Sequence, residues 1–260
     1  MGFGISPKRA VRWWVGGVLW IALVLVVRPA SACEMTIYGN AYKPPKSYLL
    51  ENTPKGILVD MTDYIAREVG CRFTVELYSW TRSFSYAKAG KGAIIGFSKT
   101  AERLKRFDYS IPMYFDEVLL VVRKDYAFPY QSLSDLKDKR IGAVKGGTYG
   151  GDYEIGKEKY FTAVEGTNPV SRLKMLMRGR LDASFVGPGK AGFNALIASD
   201  ANLSKNRHRF ELLPTPFNRD SNHLGILKTH NKDGFMDRVN GAIRKGWESG
   251  AFQQIIDSHH

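Results

Sequence analysis

The sequence predicts an α/β fold. Strand-like apolar runs alternate with amphipathic helical runs along the chain after residue 33. Glycine and proline punctuate the runs at the expected ends. Length and composition agree: 260 residues allow one large domain or two modest ones, and 44% hydrophobic with 24% charged residues exclude global disorder.

The elements follow in order. Thr36–Tyr38 and Phe73–Leu77 read as strands on either side of a helix over Asp60–Val69. In that helix Met61, Tyr64, Ile65 and Val69 recur at the 3.6-residue period, with Asp60 as the expected N-cap and Gly70 as the stop. A helix over Thr81–Ala89 leads to a strand at Ala93–Phe97, and Val118–Val122 is an uninterrupted apolar strand. Arg140–Val144 is the next strand and Tyr153–Tyr160 the next helix. Asn168 before Pro169 reads as cap and first turn of a helix over Pro169–Arg178, whose Leu173, Leu176 and Met177 line one face before Gly179 ends it. Strands at Ala183–Val186 and His223–Leu227 and a helix over Gly234–Trp247 complete the series. Such alternation argues a mostly parallel sheet. Two connections, Arg123–Tyr130 and Leu213–Asn222 with its Pro214 and Pro216, divide the chain. Residues 33–122 with 220–260 are expected to form one lobe and 123–219 an inserted second lobe.

The first 32 residues are expected to be a signal peptide. Lys8, Arg9 and Arg12 precede a 15-residue uncharged run, Trp13 to Val27, and Ala30-Ser31-Ala32 supplies an A-x-A cleavage site. A spanning helix needs about 20 apolar residues, so an uncleaved anchor is the lesser alternative. Cleavage after Ala32 puts Cys33 first in an exported, periplasmic protein. A lipid-modified cysteine is one reading, although Ala30 stands where a lipobox usually carries Leu. The favoured reading is a Cys33–Cys71 disulfide, since each cysteine precedes a strand of one β-α-β unit and export permits the bond.

Composition excludes several functions. Residues 1–32 hold four of the 38 basic residues and none of the 25 acids, leaving 34 against 25, a net charge of +9. No basic run exceeds two residues, so no nucleic-acid partner is expected. Two cysteines and five histidines without ligand spacing give no metal site, and no cofactor is expected. Gly146–Gly151 is glycine-rich but lacks the lysine of a nucleotide-binding loop. Three S-x-x-K matches without S-D-N or K-T-G, and no G-x-S-x-G, argue against an enzyme.

The ordered motifs Thr100-Ala101-Glu102-Arg103, Tyr109-Ser110-Ile111-Pro112, Leu133–Gly142 (LSDLKDKRIG) and Gly179-Arg180-Leu181-Asp182-Ala183 give the chain a resemblance. From 34 to 257 it resembles the extracellular solute-binding proteins of family 3, periplasmic components of polar amino-acid ABC importers. The resemblance implies a two-lobed periplasmic binding protein fold, type II, with two crossing strands. It also implies a monomer that closes on a small carboxylate-bearing solute, amino acid or organic acid, and delivers it to an ABC permease. A sensor lobe or a dehydratase-like enzyme of the same fold is the alternative.

The resemblance also assigns residues. Arg103, whose planar fork matches a carboxylate, is the expected clamp, with Ser98 beside it. Gly147 and Thr148 of the glycine loop are expected to close on the same carboxylate. Tyr42 and Trp80 are expected as aromatic walls, with Phe97 and Tyr149 flanking the polar residues. One departure stands out. Amino-acid binders of the family place an acid for the ammonium shortly after G-R-x-D-A, and here that position is Gly187, with Lys190 the nearest charge. Asp182 reads as structural. Either the solute lacks an α-ammonium or another acid reaches it, Asp152 being the nearest candidate in sequence.

Overall fold

The computed structural model describes residues 1–4 and 33–259. The expected signal segment, past its first four residues, and its cleavage point lie outside the described residues, as does His260.

β1 (Cys33–Asn40) leads into a small antiparallel sheet of β2 (Tyr42–Lys43), β3 (Ser47–Leu50) and β4 (Thr53–Lys55), then α1 (Ile57–Val69). There follow β5 (Cys71–Tyr78), α2 (Trp80–Lys88), β6 (Ala93–Phe97), α3 (Ala101–Leu104), β7 (Phe107–Tyr109) and β8 (Tyr114–Arg123). Next come β9 (Arg140–Val144), α4 (Gly151–Lys159), β10 (Thr162–Gly166), α5 (Pro169–Met177), β11 (Ala183–Val186), α6 (Gly189–Ala198), α7 (Ala201–Lys205) and β12 (Phe210–Leu212). β13 (Asn218–Leu227), α8 (Phe235–Glu248) and α9 (Ala251–Asp257) close the chain.

The main sheet runs β10-β9-β11-β8-β13-β6-β1-β5, with β7 on β13 and β12 on β8. Its two ends are parallel, as β-α-β units require, and its centre is antiparallel. β8 and β13 make that centre. They pair from Asn218↔Val118 to Asn222↔Tyr114 and then diverge. The far part of β8 pairs with β11 and β12, and the far part of β13 with β6 and β7. These are the two crossing strands of a two-lobed α/β fold. Each end has its own core: Ile37, Met61, Ile65, Val239 and Phe252 at one, Leu119, Leu173, Leu176 and Phe193 at the other.

Local chemistry explains the element ends. α1 begins at Ile57, three residues before the expected cap, so Asp60 lies in its first turn. No side-chain cap is needed, because the amides of Ile57 and Leu58 donate to the carbonyls of Pro45 (3.1 Å) and Lys46 (2.9 Å). Gly56, at φ 117°, permits this approach; a Cβ there would meet the Pro45 carbonyl at 2.5 Å. Gly70 ends the helix in the left-handed conformation, and the Asn168 side chain caps α5, as expected. Cys33 and Cys71 are register partners of the parallel β1–β5 pair and form a disulfide, their Cα atoms 4.6 Å apart. The Cys33 sulfur is therefore unavailable to a lipid.

Candidate functional site

Where the crossing strands pair, they bury several polar side chains. Burial alternates along β8, so Asp116 shares the inner face with Tyr114 and Val118. On β13 Asp220 and Asn222 point the same way. Asp116 and Asp220 are direct register partners, only 4% and 8% exposed. Lys46, held by the backbone contacts of its turn with α1, pairs with Asp116 Oδ2 and donates to Asn222 Oδ1 at 2.9 Å. Ser98, just past β6, donates its hydroxyl to Asp220 Oδ2. Burial, reinforced by Asp116, pushes Asp220 up to about 6.

A cavity opens above this floor. Lys43, Lys46 and Ser47 line it on one side, Trp80 and Ser98 on another, and Val144 with the loop Gly147-Thr148-Tyr149 on a third. Two buried polar atoms of the lining, Asp116 Oδ1 and Thr148 Oγ1, have no hydrogen-bond partner among the described residues. The Lys43 ammonium stands 5.5 Å from the centre of the Tyr149 ring; burial, then the nearby Lys46 charge, lowers it to about 8.

Of the residues expected from sequence, Ser98, Gly147, Thr148, Tyr149 and Trp80 come together on this lining. Arg103, Phe97 and Tyr42 are not part of it. Arg103 is buried directly behind, its guanidinium 4.8 Å from the Phe97 ring centre and 4.9 Å from that of Phe84. Its fork donates to the carbonyls of Ser98 (3.0 Å) and Gly146 (3.2 Å). No carboxylate pairs with it among the described residues, and burial lowers its pKa. Phe97 is fully buried and stacked on Tyr109. Tyr42 is 45% exposed and faces an outer groove beside Pro44 and Pro169. The Trp80 indole N–H also donates to the Gly146 carbonyl, at 2.9 Å, so the glycine loop is tied to α2 and α3 together.

The family model described as bacterial extracellular solute-binding proteins, family 3, matches residues 35–260. The chain belongs to this family. It is 24% identical over 233 residues to the ABC transporter arginine-binding protein 1 of Escherichia coli (strain K12), covering 88% of this chain and 91% of that one. Among solved structures it is similar to the amino acid ABC transporter substrate-binding protein AbpA from Streptococcus pneumoniae bound to L-arginine. The TM-score there is 0.69 at 23% identity, over 87% of this chain and 94% of that one. It is as similar to a histidine kinase sensor domain with similarity to periplasmic binding proteins, with TM-score 0.70 at 20% identity, over 88% and 96%. At these identities the structural likeness is one of fold.

For a solute-binding protein of this family, the acids are not where sequence reasoning placed them. Asp152 is exposed on the first turn of α4 and does not line the cavity. Lys190 is exposed on α6. Asp182 is structural, accepting the Arg140 backbone amide at 2.8 Å and its guanidinium at 3.0 and 3.1 Å. The acids in the cavity, Asp116 and Asp220, and the lysines, Lys43 and Lys46, went unnoticed in the sequence. The signal that could have found Asp220 is the period-2 polar stripe Asn218-x-Asp220-x-Asn222.

Proposed function

We propose that the protein captures a small carboxylate-bearing solute, an amino acid or a related organic acid, in this cavity and presents it to an ABC permease. The pairless buried atoms Thr148 Oγ1, in the glycine loop, and Asp116 Oδ1, on β8, both on the cavity lining, carry the reading, because buried polar groups ordinarily find partners. The solute carboxylate is received by Thr148 with Ser98 and by Arg103, a buried cation with no acid beside it, once the Gly146 carbonyl yields. Trp80 and Tyr149 wall the apolar stem. Residues 33–122 with 220–260 act as one lobe and 123–219 as the other, and the solute shifts their equilibrium toward closure. The protein works as a monomer, exported to the periplasm after cleavage behind Ala32. The arginine-binding relatives make arginine the first solute to try.

A thermal-shift screen of amino acids and organic acids tests this. A solute at about 100 times its Kd stabilises by roughly 2.7 kcal/mol, which raises the melting temperature by several degrees. A screen in which no compound moves it overturns the reading. The likeness to a sensor domain supports a second reading, an anchored sensor lobe. An intact N-terminus on the protein from membranes would favour that one.

A further inference from the structure

Position 187, where the family resemblance calls for an acid, is glycine, yet the space beside it holds a carboxylate. A Cβ at 187 would lie 3.9 Å from the Asp116 Cγ. Asp116 reaches that place from β8 and keeps one oxygen, Oδ1, without a partner, while being 96% buried. Asp220 stands opposite on β13 with no ion pair among the described residues. Two like charges facing each other across an antiparallel pair are unfavourable, and Lys46 forms a direct ion pair with only one of them.

We propose that Asp116 and Asp220, opposed on the two crossing strands, receive a cationic nitrogen of the solute in place of an acid at position 187. The inference rests on the solute-binding reading and narrows it: the preferred solute is a zwitterion, an α-amino acid rather than its deaminated acid. Lys46 remains as the ion-pair partner of Asp116, and the solute's cation contacts Asp116 Oδ1 and the Asp220 carboxylate, neither of which Lys46 bridges. The groups facing Asp220 are Asp116, Asn222, Lys43, Lys46, Ser98 and Arg103, and the raised pKa of Asp220 means that seating a cation also expels a proton. Affinity therefore falls as pH drops below about 6, by about tenfold per pH unit while one proton is exchanged.

The test measures binding of the standard L-amino acids and their deaminated analogues to the full mature chain by calorimetry. Wild type is expected to favour the best amino acid over its analogue by about 30-fold or more, as for a buried charge pair. Asp220→Asn keeps an acceptor for Ser98; it should lower that ratio below about tenfold and flatten the pH profile. Asp116→Asn strands Lys46, so Asp116→Asn with Lys46→Met serves as the variant that folds. Adding Gly187→Asp to that double variant should restore the preference. A wild type that prefers the deaminated acid, or a preference unchanged in both variants, overturns the inference and leaves the solute-binding reading standing. A wild type that binds no compound of either class overturns both.

Discussion

Asp220 stands directly opposite Asp116 in the β8–β13 register, and the Lys46 ammonium that pairs with Asp116 makes no ion pair with Asp220. The cavity thus holds a buried carboxylate that has no direct ion pair among the described residues. That arrangement is costly to the fold and useful to a ligand.

The cost can be read as stability. Asp220 titrates near 6 in the folded protein against an ordinary 3.8. A raised acid contributes stability that is fully present below 3.8 and lost as pH rises through 6. One pKa unit is worth about 1.4 kcal/mol, so at pH 7.5 Asp220→Asn should stabilise the ligand-free protein by up to about 3 kcal/mol. Denaturant melts check this; a destabilised variant would mean the carboxylate is well compensated.

His223 should show the opposite slope. It is 1% exposed, its Nδ1–H donates to the Ser110 carbonyl at 2.7 Å, and Nε2 accepts from Ser221 at 2.9 Å. Burial holds it down to about 4. Its contribution is present above 6.5 and is lost as pH falls through 4. In wild type the two slopes largely cancel between pH 4 and 6. Asp220→Asn should therefore lose stability on acidification over that window and His223→Gln should gain it. Melts that run parallel to wild type in both variants would contradict the assignment.

Reduction should cost stability too. The Cys33–Cys71 bond closes a separation of 38 residues, worth roughly 3–4 kcal/mol in the chain-entropy model. The purified protein should show no alkylatable thiol before reduction and a melting temperature lower by many degrees after it. Free thiols in the native protein, or an unchanged melt, would count against the pairing.

Arg103→Ala should weaken solute binding by about 30-fold to several thousand-fold, and Arg103→Lys should recover only part, since an ammonium lacks the fork. The ligand-free melt of the Ala variant should change less than the affinity, because Arg103 has no acid partner to strand. Wild-type affinity in Arg103→Ala would place the carboxylate elsewhere.

The sequence made much of this fold legible, for a physical reason. Strand Ala93–Phe97 and the Val118–Val122 part of β8 are buried on both faces and read as unbroken apolar runs. The same rule hid the floor of the cleft. Sequence reading began the crossing strands at Val118 and His223, where the apolar runs begin, although they start at Tyr114 and Asn218. Among the omitted residues Asp116, Asp220 and Asn222 are buried and polar, which hydrophobic periodicity does not register. α6 escaped for a related reason: Gly189 and Gly192 break its pattern, yet Gly192 packs so closely on Gly187 that a Cβ would lie 2.6 Å from its carbonyl carbon.

The most direct test is a crystal structure of the protein with the solute that most raises its melting temperature. The account predicts density in the cavity between β8, β13 and the glycine loop, with hydrogen bonds to both Thr148 Oγ1 and Asp116 Oδ1. A solute lodged instead in the outer groove beside Tyr42 and Pro169, with those two atoms still unpaired, would contradict it.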